Sequence, residues 1–239
     1  MDKRVVEFQN VNIFYGKRPV LLDVNFRVAQ GDKIGIIGPN GSGKTTLVRT
    51  IMGVHKQAQG QIYVQKGIRF GYAPQRGMVD IIVPLNVYEY VTLELDCSLK
   101  DTQGLLRVWG EKLNLLSVMD KPFSGLSGGQ KQRAILLRAM LVQPSCLILD
   151  EPTDNLDMEG TKKLLRLVDE YCVENRVTLF YISHYLNAVV NHVDRLMILK
   201  DLCLREKKVD TEQELKGFLE TVFSVNIDVK TYNGKKIIF

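Results

Sequence analysis

"KIGIIGPNGSGKTTLVRTIMG", Lys33–Gly53, contains the change of periodicity that decides the fold. "KIGIIG" reads as a buried strand, and after Gly43 the apolar residues fall at helical spacing until Gly53, a stop signal. Between them, Gly38 to Thr45 match G-x-x-x-x-G-K-[ST] in the strand, loop, helix context that a phosphate-binding Walker A loop requires. Glycines let backbone N–H groups converge on phosphate oxygens, and the helix N-terminus adds a favourable field. Gly38, Pro39, Asn40, Gly41, Ser42, Gly43, Lys44, Thr45 and Thr46 are therefore the expected phosphate-binding residues. Lys44 is expected to reach the β- and γ-phosphates and Thr45 to ligate Mg²⁺. A glycine turn with a solvated lysine is the plainer alternative, and the flanking strand and helix argue against it.

Outward from this loop, residues 4–37 alternate apolar segments with turn signals and predict strands. "GQIYVQKGIRFGYAPQ" returns to strand character before Pro74, and residues 76–122 carry apolar residues at three- and four-residue spacing, an inserted helical subdomain. "SCLILD", "VTLFYISH" and "RLMILK" then alternate with helical stretches, the pattern of a parallel sheet. The core is expected over 1–75 and 123–208, and residues 209–239 form an appendix with a short helix and a hairpin turning at Asn233 and Gly234.

Across 239 residues, 45% apolar and 25% charged content suffices for a buried core. The formal charge of +5 is spread without a basic tract, so nucleic acid is not expected as a partner. The four cysteines lack C-x-x-C or metal-ligand spacing and read as free, reduced thiols. The charged start and the lack of 18 uninterrupted apolar residues predict neither a cleaved signal nor a membrane span.

"CLILDE", Cys146–Glu151, ends a buried strand in two acids, at the sheet edge where open α/β folds bind ligands. Asp150 can hold Mg²⁺, directly or through water, and Glu151 is placed to polarise an attacking water. His184 follows the strand "TLFYIS" and can contact the γ-phosphate or position water and Glu151. Gln75 after "FGYAP" can reach Mg²⁺ or the water, and Tyr15 can stack on a nucleobase or simply pack. His55 and His192 read as structural. A second anion-attracting helix start lies at Ser127, Gly128, Gly129 and Gln130, where Ser127 is placed to cap a helix carrying Ala134, Ile135, Leu136, Leu137 and Met140 toward a core.

The joint order of Walker A, Gln75, "LSGGQ" at Leu126–Gln130, "LILDE" and His184 resembles the ATP-binding subunit of ABC (ATP-binding cassette) transporters, over residues 4–205. The resemblance implies an α/β fold: a P-loop NTPase (RecA-like) core with an antiparallel β subdomain and an inserted α-helical subdomain. It implies ATP and Mg²⁺ as cofactors, and a head-to-tail homodimer in which each signature helix caps the γ-phosphate held by the other chain. Tyr15 would stack on adenine, Gln75 would link catalysis to the membrane partner, and "TDNLD", Thr153–Asp157, would cross the interface. Glu151 is the implied base and His184 the switch residue. Tyr185, where aspartate is frequent, and "LKDLCLREKK", which lacks the usual glycine after the last core strand, depart from the pattern and bear on local turns.

Without a span of its own, such a subunit would work on integral membrane permease subunits at the cytoplasmic face of the membrane, as a peripheral protein. "GYAPQRGMVDIIVPLNVYEYV", Gly71–Val91, is similar to ATPases of zinc and manganese importers, except that Asn86 replaces a threonine. Import implies an extracytoplasmic solute-binding protein as a further partner. Transport of another small solute or a lipid, or a soluble module outside transport, are the alternatives.

Overall fold

Alternating burial shapes the first two strands of this computed structural model, which describes residues 3–75, 84–93, 95, 102–154, 156–209 and 211–239. β1 (Arg4–Tyr15) and β2 (Arg18–Ala29) bury Phe8, Val11 and Ile13 against Leu21, Val24 and Phe26, with polar residues outward. β3 (Lys33–Ile37), α1 (Lys44–Ile51), β4 (Ala58–Val64) and β5 (Phe70–Ala73) follow. Then come α2 (Val87–Thr92), α3 (Thr102–Lys112), α4 (Gly128–Leu141), β6 (Cys146–Asp150), α5 (Met158–Asn175) and β7 (Thr178–Ile182). α6 (Leu186–Val189), β8 (Arg195–Lys200), β9 (Cys203–Lys208), α7 (Glu212–Phe223), β10 (Val229–Tyr232) and β11 (Lys235–Ile238) complete the chain. The chain divides into two units, one formed by Met1–Gly67 with Thr178–Phe239, the other by Ile68–Val177.

The first unit holds an antiparallel sheet in the order β2, β1, β4, with the rings of Phe8 and Phe26 stacked 4.7 Å apart. The first two strands are 12 residues each, and the chain stays regular through local bulges. At these, Asn10 (φ 50°) and Asp23 (φ 48°) take left-handed conformations, and the side chains of Asn25 and Asn12 accept their backbone N–H groups at 2.8 Å. The unit also holds parallel strands: β3 pairs with β7 on one side and β8 on the other, and β9 adds antiparallel to β8. All four residues Ile34–Ile37 are buried, as the unbroken apolar run predicts for a strand covered on both faces. The expected terminal hairpin is present, with Asn233 (φ 50°) and Gly234 (φ 74°) supplying the two left-handed residues of a tight turn.

In the second unit β5 and β6 run parallel, and α4 buries Ala134, Ile135, Leu136, Leu137 and Met140 as expected. Gly71 of β5 explains how closely the helix packs: a Cβ there would stand 2.2 Å from the Ala139 carbonyl oxygen. The Tyr171 hydroxyl of α5 donates to the Met140 carbonyl at 2.8 Å and ties two helices of the unit together. Within the stretch 76–122 expected to be helical, α2 and α3 are helices, while residues 76–83, 94 and 96–101 lie outside the described residues. Cys146, Cys172 and Cys203 form no disulfide, and burial pushes the Cys146 thiol far up, which keeps it unreactive. Among the described residues, no helix is long and apolar enough to cross a membrane.

The missing glycine in "LKDLCLREKK" has a visible consequence. The turn between β8 and β9 places Asp201 (φ 51°) and Leu202 (φ 63°) in the left-handed region, which costs a γ-branched L-residue about 1 kcal/mol. The Leu202 carbonyl still accepts the Leu22 N–H at 2.8 Å, so the turn is anchored through backbone. Leu202 is 40% exposed, so truncation gives up part of its packing, less than for a fully buried leucine. Leu202→Gly is therefore expected to stabilise the protein by roughly 0.5–1 kcal/mol, read as a shift of the denaturant midpoint at unchanged slope.

Candidate active site

The phosphate loop is built by β3 and α1. Gly41 (φ 80°) and Gly43 (φ 98°) are left-handed, and Gly43 stands at the N-cap of α1 with no side chain closing the helix end. No acidic residue lies in the first turn of α1, so its N–H groups present an uncompensated positive end. Gly38 is irreplaceable on space alone, since a Cβ would meet the Leu199 carbonyl oxygen at 2.4 Å and Ser42 Oγ at 2.5 Å. Lys44 is only 8% exposed, and its Nζ donates to the carbonyls of Gly38 (2.8 Å) and Pro39 (3.0 Å). The ammonium is thereby held over the loop. Ser42 Oγ is buried without a hydrogen-bond partner, a donor left over within the loop. Thr45 and Thr46 are half-buried in the first turn of α1, and Pro39, Asn40 and Gly41 are exposed at the loop's tip.

Elsewhere in the same unit, Tyr15 closes β1 with a ring 53% exposed, 4.9 Å from that of His55. His55 Nε2 donates to the Phe14 carbonyl at 2.8 Å, which gives this histidine the structural role expected of it. His184 is exposed one residue beyond the buried Ser183, whose hydroxyl accepts the Tyr185 N–H at 3.0 Å. Tyr185 stands at the N-cap of α6, and its ring lies 3.8 Å from that of His184.

The acids lie in the second unit. Every residue of β6 is buried, ending in Asp150 at 2% exposure and followed by Glu151 at 5%. Tyr72 of β5 donates its hydroxyl to Asp150 Oδ2 at 3.3 Å, a partner that sequence reasoning missed because no pattern in "FGYAP" links it to a strand more than 70 residues later. Glu151 has φ 51°, a left-handed conformation that is uncommon for a residue other than glycine, asparagine or aspartate. Backbone strain of this kind gathers where a side chain must be aimed, and nothing in "LILDE" announces it. Gln75 Nε2 donates to Asp154 Oδ2 at 3.5 Å, the long limit of a hydrogen bond.

Ser127 caps α4 as predicted, through a reciprocal pair: Gln130 N–H donates to Ser127 Oγ at 3.3 Å, and Ser127 N–H donates to Gln130 Oε1 at 2.9 Å. Gly128 and Gly129 fill the first turn, where a Cβ on Gly129 would meet Leu156 Cδ2 at 3.2 Å. Within "TDNLD", Thr153 is buried and Asp157 caps α5 by accepting the Gly160 N–H at 2.7 Å, while Asn155 lies outside the described residues.

A sequence model of the family described as ABC transporter matches residues 21–154, more than half of the chain. This chain belongs to the ABC transporter family. As an ABC ATPase it hydrolyses ATP, and the resemblance carried by its five motifs is borne out. The zinc import ATP-binding protein ZnuC of Marinobacter nauticus is 34% identical over 222 residues, covering 92% of this chain and 84% of its own. ZnuC of Cereibacter sphaeroides is 36% identical over 184 residues, 77% and 74% of the two chains. Among solved structures, an inward-facing ABC transporter gives a TM-score of 0.82 at 22% identity, over 99% of this chain and 96% of that one. A dimeric bacterial cassette, MJ0796, gives 0.75 at 24% identity, over 87% and 100%. These likenesses bear out the P-loop α/β fold of this ABC ATPase.

Proposed function

We propose that this ABC ATPase powers a separate membrane permease that imports zinc or manganese. The observation that carries the reading is the run of relatives named as zinc import ATP-binding proteins, 31–36% identical over 77–92% of this chain. The "GYAPQRGMVDIIVPLNVYEYV" segment supports it, although Arg76 to Val83 lie outside the described residues. Asn86 caps α2 through a reciprocal pair with Glu89, at 2.8 Å each way. The substituted threonine is thus replaced by an equally good cap.

Residue roles follow from chemistry. Lys44 and the α1 amide groups bind phosphate, with the unpartnered Ser42 hydroxyl as a further donor, and Tyr15 offers an exposed aromatic face to adenine. The Thr45 hydroxyl, the Asp150 carboxylate and the Gln75 amide oxygen are hard oxygen donors of the kind Mg²⁺ takes. The burial of Asp150 calls for compensation by a cation or by hydrogen bonds such as that from Tyr72. When bound, Mg²⁺ neutralises charge on the phosphates. Glu151 accepts the proton of the attacking water, and His184 positions that water or the γ-phosphate. Two chains join head to tail, so that Ser127, Gly128, Gly129 and Gln130 of each close on the nucleotide of the other. The ATPase works as a peripheral subunit beneath its permease, on the cytoplasmic face, with an extracytoplasmic binding protein delivering the metal.

Co-purification followed by reconstitution tests this. The expected result is a detergent-soluble complex with a multispanning protein whose ATP hydrolysis rises when Zn²⁺- or Mn²⁺-loaded binding protein is added. A stable complex with RNA or DNA instead, or stimulation only by an unrelated solute or a lipid, would overturn it.

A further inference from the structure

The C-terminal hairpin meets α6 in an arrangement that general packing does not explain. Asn187 Nδ2 donates to the Ile238 carbonyl at 2.9 Å, while Asn187 Oδ1 accepts the Ile238 N–H at 2.8 Å. Four residues on, in the turn that follows α6, Asn191 repeats the pattern with Lys236: its Nδ2 donates to the Lys236 carbonyl at 2.9 Å, and its Oδ1 accepts the Lys236 N–H at 2.8 Å. Lys236 and Ile238 alternate with Lys235 and Ile237 along β11, and in a hairpin closed by two residues they turn their backbone groups away from β10. Two carboxamides spaced i, i+4 thus stand in for a neighbouring strand and satisfy the otherwise open edge of β11. A planar carboxamide, which offers a donor and an acceptor side by side, makes both bonds at once, and alanine at either position makes neither.

What the hairpin grips matters for the reaction. α6 has four residues, far too few to hold its conformation alone, and it begins two residues after His184. Its other side rests on β3, the strand that feeds the phosphate loop. A Cβ on Gly35 would stand 2.3 Å from Val189 Cγ1 and 3.2 Å from Val193 Cγ2. α6 is therefore held between β3 and β11, and the Ser183–Tyr185 turn that carries His184 is its N-terminal end. Lys236 Nζ also donates to the Val209 carbonyl at 3.3 Å, which fastens the hairpin to the chain leaving β9.

We propose that Asn187 and Asn191 are positioning residues for ATP hydrolysis, through which the C-terminal hairpin fixes the placement of His184. This rests on the assignment of His184 to the reaction. The asparagines themselves touch β11 and act through α6 and the turn that follows it, so their removal lowers kcat while ATP binding at the phosphate loop is retained.

Steady-state hydrolysis by the full-length protein, with Asn187→Ala/Asn191→Ala, His184→Ala and the combination of all three, tests it. The expected result is a roughly tenfold fall in kcat for the double variant with KM for ATP within about twofold, and no further fall when it is added to His184→Ala. Ile238→Pro removes the N–H accepted by Asn187 from the opposite partner, at an edge position where proline is tolerated, and should reproduce the kcat loss with both asparagines intact. Hydrogen exchange at the Lys236 and Ile238 amides should quicken in the double variant. Unchanged kcat, an equal proportional loss in the presence and absence of His184, or a rise in KM that accounts for the whole effect would each overturn the proposal. If His184→Ala keeps full kcat, the assignment of His184 falls and the positioning role with it. If His184→Ala is slow but the double variant is not, the positioning role alone falls.

Discussion

Glu151→Gln is expected to lower ATP turnover by about two to four orders of magnitude while leaving ATP affinity close to that of the parent protein. The substitution keeps the size of the side chain and one oxygen, but it removes the proton acceptor. Binding should survive because the groups proposed to hold phosphate are Lys44 and the α1 amides, which the substitution leaves unchanged. The left-handed backbone of Glu151 (φ 51°) is no better for glutamine than for glutamate, so stability should change little and the lost rate can be assigned to chemistry. Single-turnover hydrolysis beside equilibrium ATP binding separates the two quantities. Undiminished hydrolysis would remove Glu151 as the base.

Lys44→Ala is expected to act on the other quantity. A charge-assisted hydrogen bond to phosphate contributes about 1.5–3 kcal/mol, so ATP binding should weaken by roughly ten- to a hundredfold, and hydrolysis should fall with it. The same change leaves the carbonyls of Gly38 and Pro39 without their 2.8 and 3.0 Å partner. A modest loss of stability in the absence of nucleotide is therefore also expected. Calorimetric titration with ATP reads the first effect and thermal unfolding without nucleotide reads the second. Unchanged affinity would mean that the loop does not hold the phosphates through this residue.

The parts of the site that were legible in the sequence are those encoded locally. The glycine spacing from Gly38 to Gly43, the Ser127 cap with Gln130 three residues on, and the Asn233–Gly234 turn each depend on backbone conformations that neighbouring residue types dictate. What stayed hidden is long-range. Tyr72 reaches Asp150 across 78 positions, and Asn187 reaches Ile238 across 51, contacts created only when strands and helices pack. The strain at Glu151 was equally silent, because the residue type argues against the conformation it takes and only the surrounding fold imposes it. At Leu202 the departure from the family's glycine was visible, but its outcome was not: the turn forms regardless, with two left-handed residues and a backbone bond to Leu22.

The proposed head-to-tail dimer gives a role to both glycine-rich helix starts of the chain, Gly38–Thr45 and Ser127–Gln130, by having two chains exchange them. The structure of the Glu151→Gln protein trapped with ATP tests this most directly. The expected result is a two-fold dimer in which Ser127 Oγ and the Gly129 N–H lie within hydrogen-bond reach of the γ-phosphate held by the partner's Lys44. Both groups facing solvent in every dimer of that crystal, with ATP bound by one chain alone, would contradict it.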